Sequence, residues 1–253
     1  MKLIVNADDY GIDRNRTKAI LDSFRMRAIN QTTALVTMPY YDRAVEEIKA
    51  EGLIGRMGLH FNLTEGRALS EEMRNCRFFC DVEGNFTGRF HRNYFNRFVI
   101  SRSAAQAVRI EAIAQIEKFL ESGGVLMHLD SHHHVHTDYS IAKILMPIAK
   151  RYGFTSVRRS RNMVRGYSLG MRIYKQVLNQ MICGRGFAGA KLFGAFSDFR
   201  NWYSPGVDID AEVMVHPMYG TPQVLSLQGP LTDSGGCPIS EQRDYYKMIG
   251  TVL

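Results

Sequence analysis

The chain has 253 residues and a formal net charge of +7, with 45% hydrophobic and 23% charged residues. That length can bury a sizeable core without disulfides or a structural metal, and the composition excludes a disordered or collagen-like chain. No apolar run approaches the roughly 20 residues needed to cross a bilayer.

Residues 3–7 form a short apolar run that predicts a buried strand, closed by Asp8-Asp9 and Gly11. This opening runs straight into acids and does not read as a signal peptide, so the expected compartment is the cytoplasm. Asp13 is placed to cap a helix whose apolar residues Ile20, Leu21, Phe24 and Ala28 recur at helical spacing. Residues 32–38 read as a second strand, 44–50 as a helix stopped at Gly52, and 56–63 as a third strand. Residues 65–101 have little periodicity, and their aromatics (Phe78, Phe79, Phe90, Tyr94, Phe95, Phe98) suggest an inserted loop or small subdomain. A long helix is expected from Ser103, boxed with Gln106, carrying an Ile113, Ile116, Leu120 stripe and ending at Gly123-Gly124. Strand 125–129, a helix at 141–152 kinked by Pro147, strands 154–158 and 211–215, and a helix at 244–252 complete the pattern. Strand alternating with helix predicts a parallel α/β sheet with helices outside, a barrel or partial barrel, in one domain spanning 1–253.

The cysteines (Cys76, Cys80, Cys183, Cys237) are too few and scattered for a disulfide framework and read as free thiols. Residues 151–200 hold ten Lys and Arg against one acid, Asp198. Such a block could meet nucleic acid or an anionic surface. No nucleic-acid module accompanies it, and Met163, Tyr167, Leu169, Met171, Tyr174, Val177 and Leu178 recur as on an amphipathic helix, so a solvated basic helical face is the preferred reading.

Acids and histidines fall where strands end: Asp8-Asp9, His60, the run from His128 to His136, and His216. The carboxyl ends of parallel strands share one rim, where ligand sites form. Alone, Asp8-Asp9 would be a cap or turn, His60 a core imidazole, and His216 a strand exit. Together on one rim, imidazole and carboxylate without thiolate suit a divalent ion held by about three ligands. Within a strand, His128, Asp130, His132, His134 and His136 would share one face and His133 the other. Asp8 and Asp9 could both face the mouth only across a break in their strand.

Four segments, Asn6-Ala-Asp-Asp-Tyr-Gly11, Gly58-Leu-His-Phe-Asn-Leu-Thr64, His128-Leu-Asp-Ser-His-His-His-Val-His136 and Glu212-Val-Met-Val-His-Pro217, resemble in order the signatures of the YdjC-like carbohydrate deacetylases. That family includes the chitooligosaccharide deacetylases. The resemblance implies a deformed (β/α) TIM-like barrel, here incomplete at the C-terminus, which is left open or completed by a partner subunit in a homodimer. It implies a hydrolase that removes N-acetyl groups from acetylated amino sugars or sugar-bearing substrates with a divalent metal, Zn²⁺ first and Mg²⁺ second. Carried onto this chain, it makes Asp9, His60 and His132 the metal ligands, Asp8 the general base and His216 the general acid. His128, Asp130, His134 and His136 are then expected to orient ligands or base. Residues 158–200 do not follow the family pattern, so the sugar bound is not inherited from it; Trp202 and Tyr203 could stack on a sugar ring or simply pack. Two other readings stay open: a barrel metallohydrolase acting on phosphoesters or cyclic amides, and a non-catalytic basic carbohydrate- or nucleic-acid-binding protein.

Overall fold

The computed structural model describes residues 2–164, 166–221, 224, 225 and 229–248. Its first half repeats one unit. Strand β1 (Lys2–Tyr10) leads to helix α1 (Arg14–Arg25), β2 (Gln31–Ala34) to α2 (Tyr41–Ala50), and β3 (Met57–Phe61) to the irregular stretch that follows. Every residue of β2 and β3 is buried, as expected for parallel strands covered on both faces. Asp13 caps α1, its carboxylate accepting from Arg16 N at 2.8 Å, and Gly52 ends α2 at φ 68°.

Residues 65–101 contain two single-turn helices, α3 (Glu71–Arg74) and α4 (Arg89–Arg92), and two isolated bridges, Arg67 to Asn85 and Cys80 to Phe86. Phe79 and Phe90 are buried against each other (centroids 4.6 Å apart), whereas Tyr94, Phe95 and Phe98 are exposed. The long helix α5 (Arg102–Glu121) anchors this stretch through buried Glu111, which accepts from Leu69 N at 3.1 Å and from Ser70 N and Oγ at 2.8 and 2.7 Å.

Then come β4 (Leu129–Ser131), α6 (Tyr139–Tyr152), α7 (Leu169–Cys183), β5 (Leu192–Ala195), α8 (Phe196–Trp202) and β6 (Asp210–Val215). The six strands form a parallel sheet in the order β4-β3-β2-β1-β6-β5, flanked by helices. Single parallel bridges, Leu129 to Val157 and Ser156 to Ala188, extend the pairing beyond β4. Asn162 N then donates to the Phe193 carbonyl in β5 at 3.0 Å. A small antiparallel sheet follows, β7 (Pro217–Thr221) between β8 (Val224–Leu225) and β9 (Leu231–Asp233), and then α9 (Ile239–Met248). The rest of the helix expected at 244–252 lies outside the described residues. Among the described residues no helix is long and apolar enough to cross a membrane.

Several expectations need correction. Strand 125–129 is displaced: regular pairing starts only at Leu129. Residues 154–158 make isolated bridges instead of a strand, and β5 occupies a stretch read as part of the basic helix. Ser101, not Ser103, caps α5, accepting from Ala104 N at 3.2 Å. The buried face of α5 runs through Ala104, Ala107, Val108, Ala112, Ile116 and Phe119 and includes Glu111 and Gln115, leaving Leu120 exposed. Two buried polar residues that bond across to residues 62–70 hid that face from an apolar count. The basic helix begins only at Leu169. Met163 is in the core before it, Leu178 faces inward, and Leu169 and Val177 face solvent.

The cap assignment is testable by thermal melts. Ser101→Ala should lower stability by about 1 kcal/mol, the usual worth of an N-cap hydroxyl, and by more than Ser103→Ala does.

Candidate active site

The carboxyl ends of β1, β3, β4 and β6 open on one cavity of about 1130 Å³, lined among others by Asp8, Asp9, His60, Glu65, His132 and His216. Two backbone features aim these side chains. In β1 the register with β2 shifts between Ala7 and Tyr10. There Asp9 sits at φ 68°, a left-handed conformation uncommon outside glycine. That turn is the break that lets consecutive acids line one cavity. After β4 the chain leaves extended geometry: His133 and His134 take φ 50° and 57° in succession. The alternation expected from His128 to His136 therefore ends at Ser131, and His132 reaches the cavity at the start of a 3₁₀ turn.

The structure brings Asp9, His60 and His132 together, with one ligand atom from each within 4.8 Å of the others. Asp9 Oδ1 lies 2.8 Å from His132 Nδ1 and 3.4 Å from His60 Nε2. Asp9 Oδ2 accepts from Arg16 Nη1 at 3.3 Å, and His132 Nε2 faces Glu65 Oε2 at 3.3 Å. A buried carboxylate and two buried imidazoles converging this closely are a donor set that suits a divalent cation. His60 Nδ1 lies 2.6 Å from Asp130 Oδ1, which fixes the ring so that Nε2 faces Asp9. Burial alone would lower the His60 pKa, but Asp130 and Asp9 raise it to about 10. For His132, Asp9 and Glu65 likewise overcome burial and raise it to about 9.

Beneath this group lies Arg158, fully buried. Its Nη1 and Nη2 donate to Asp8 Oδ2 and Oδ1, both at 2.7 Å. Nη1 is also 2.8 Å from Asp130 Oδ2, and Nε donates to Glu212 Oε1 at 2.5 Å. Burial would push the Asp8 carboxyl up, but the Arg158 guanidinium holds it well below the usual carboxylate range. Glu212 follows the same balance, burial raising it and Arg158 and His128 bringing it down to about 2. Asn6 Nδ2 donates to Asp8 Oδ1 at 2.7 Å and to Thr33 Oγ1 at 3.0 Å, and Thr33 donates to Asp130 Oδ2 at 3.0 Å. One polar network thus joins Asp8 to the partner of His60.

The other expected residues divide. His216 Nε2 is 3.9 Å from Asp8 Oδ2, at the cavity wall, with its backbone N–H on Asp233. His134 lines the cavity but packs edge-on against Phe193. His128 and His136 stay outside it: His128 contacts Ser156 and Glu212, and His136 bonds Ser131 and the Arg158 carbonyl. His128, Asp130 and Glu212 could themselves surround an ion, but the Arg158 guanidinium already lies against both carboxylates. Trp202 and Tyr203 pack on Phe199 and do not line the cavity. Arg158 and Glu65 were not anticipated. Arg158 closes an apolar run on the same rim, the one signal that could have separated it from the surrounding basic block.

The sequence profile of the YdjC-like protein family matches residues 2–245. A carbohydrate deacetylase of Vibrio cholerae serotype O1 is 38% identical over 152 residues, 60% of this chain and 56% of that protein. The chain thus spans little more than half the length of that relative. A carbohydrate deacetylase of Halalkalibacterium halodurans is 27% identical over 219 residues, covering 87% of this chain and 86% of its own. A crystal structure from Enterococcus faecalis V583, of a protein named for cellobiose-phosphate cleavage, superposes with a TM-score of 0.72 over 99% of this chain and 95% of that one; at 23% identity the likeness is one of fold.

Replacing Arg158 by Met should cost about 3–5 kcal/mol in urea unfolding, because Asp8, Asp130 and Glu212 would all lose the buried cation they share. The Glu212 carboxyl, depressed to about 2 when folded against 4.5 ordinarily, stabilises the fold fully above about pH 4.5 and loses that contribution as pH falls toward 2. The stability gap between wild type and Glu212→Gln should therefore be widest near neutrality and narrow across that window.

Proposed function

The chain belongs to the YdjC-like family, and from that premise we propose that it is a metal-dependent hydrolase removing an N-acetyl group from an acetylated amino sugar or sugar-bearing substrate. The scaffold is read as a deformed (β/α) barrel in a single domain, with residues 65–101 inserted as one wall of the cavity. The observation that carries the reading is the division of labour among buried groups. Asp9, His60 and His132 converge with one ligand atom from each within 4.8 Å of the others, while Asp8 and His216 stand beside them 3.9 Å apart.

Asp9, His60 and His132 would hold the divalent ion, Zn²⁺ or Mg²⁺. A bound ion of this kind lowers the pKa of water toward 7 and polarises a carbonyl oxygen. Asp8, ionised across the working range by Arg158, accepts the proton of the attacking water. Because both of its oxygens are bonded to Arg158 and Oδ1 also to Asn6, the carboxylate cannot swing away. So strongly held a carboxylate is a weak base and suits only an acidified water. His216 Nε2, 3.9 Å from Asp8 Oδ2, delivers a proton to the departing amine nitrogen. Asp130 keeps the His60 ring from turning. Glu65, half-exposed and 3.3 Å from His132 Nε2, stands where substrate enters.

Acetate release from a panel of N-acetylated sugars, with Zn²⁺, Mg²⁺ or Co²⁺ added, tests the reading; phosphate release from phosphoesters instead would support the other hydrolase. Asp8→Asn should lower turnover by about 10²–10⁴-fold with metal content retained. His132→Ala should lower the metal-to-protein ratio by elemental analysis. Undiminished turnover in the first variant, or an unchanged ratio in the second, would refute the corresponding role.

A further inference from the structure

The basic block at 151–200 is only partly used by the cavity just described. Arg158 turns inward, and Arg161 pairs with Asp198 at 2.6 Å. Three more of its cations line a second cavity of about 800 Å³, between α7 and residues 159–164, 166 and 167. Among the described residues this cavity shares no lining residue with the acid–histidine one and has no acidic residue in its wall. Its frame is fixed by amides: Ser160 N donates to Asn179 Oδ1 at 2.7 Å, and Asn162 Oδ1 accepts from Phe193 N at 2.8 Å. The cations remain available. Among the described residues Arg159 and Arg172 have no carboxylate partner, and Lys175 Nζ meets only Ser160 Oγ, at 3.2 Å, with the Tyr167 ring centroid 4.8 Å away. Gln176 and Gln180 add side-chain donors on the same helix.

Like charges with no acid among them repel one another, and Arg159 and Lys175, half-buried, also lose hydration. Burial, with Arg161 and Arg97 nearby, pushes the Lys175 ammonium down to about 8. A multiply charged anion would relieve this arrangement, and guanidinium groups engage phosphoryl oxygens well. We propose that the cavity between α7 and residues 159–164, 166 and 167 binds a phosphoryl-bearing ligand, at a site separate from the catalytic one.

Two sources share this chemistry, a soluble phosphorylated molecule and a lipid headgroup. Leu169, Ile173 and Val177 form an exposed stripe along α7 at intervals of four (71%, 54% and 51% exposed). That stripe gives a lipid-borne phosphate an apolar surface beside the cavity, so it separates the two.

The test is calorimetric titration of the metal-stripped full chain with inorganic pyrophosphate. Saturable binding is expected, weakened about tenfold by Arg159→Gln and again by Arg172→Gln. Lys143→Gln, on α6 away from this cavity, should leave it unchanged. Arg172 is exposed, and matching melting temperatures keep a folding defect from passing as a binding one. Co-sedimentation with phosphatidylcholine vesicles, with or without phosphatidic acid, identifies the source. If the ligand is lipid-borne, phosphatidic acid vesicles are bound and Ile173→Asp loses them while keeping pyrophosphate; pyrophosphate binding without vesicle binding assigns a soluble ligand. No saturable pyrophosphate binding, or binding unaffected in the Arg159/Arg172 double variant, would overturn the proposal.

Discussion

A single buried guanidinium sets the conditions for everything around it. Arg158 bonds Asp8, Asp130 and Glu212 with no exposure to solvent. Burial alone would drive the Asp8 and Glu212 carboxyls toward the neutral acid, and the guanidinium reverses that. Because the three acids lie on different strands, β1, β4 and β6, the cation also ties the sheet together beneath the cavity. Such a network adds little net stability compared with an apolar core. What it does is hold Asp8 charged and Asp8 and Asp130 in place, and Asp130 in turn fixes His60.

The second constraint is conformational. Asp9 at φ 68° and the pair His133 and His134 at 50° and 57° are the described non-glycine residues near the cavity that leave the usual backbone regions. Each such residue costs on the order of 1–3 kcal/mol and persists only where its surroundings impose it. Here the turn at Asp9 places two adjacent acids on one surface, which a regular strand cannot do. The turn at His133 ends the strand early enough for His132 to approach Asp9.

Much of this was legible in the sequence, for a physical reason. Parallel strands deliver their last residues to one rim, so Asp8, Asp9, His60, the run from His128 to His136 and His216 could be grouped from strand ends, while the choice of His132 within that run came from the family resemblance. Strand alternation beyond Ser131 failed because periodicity presumes continued extension. Residues 154–158 looked like a strand by composition, yet pair only through single bridges. Arg158 was illegible because charge counting cannot say which of ten cations turns inward. The same count hid the difference between Arg161, paired with an acid, and Arg159 and Arg172, which line a cavity without one.

The central claim is that Asp9, His60 and His132 share one ion. X-ray absorption at the metal edge of the Zn²⁺-loaded protein tests it most directly. The proposed coordination predicts two imidazole nitrogens and a carboxylate oxygen at about 2.0–2.2 Å. A spectrum dominated by sulfur near 2.3 Å, or one without imidazole scattering, would contradict it.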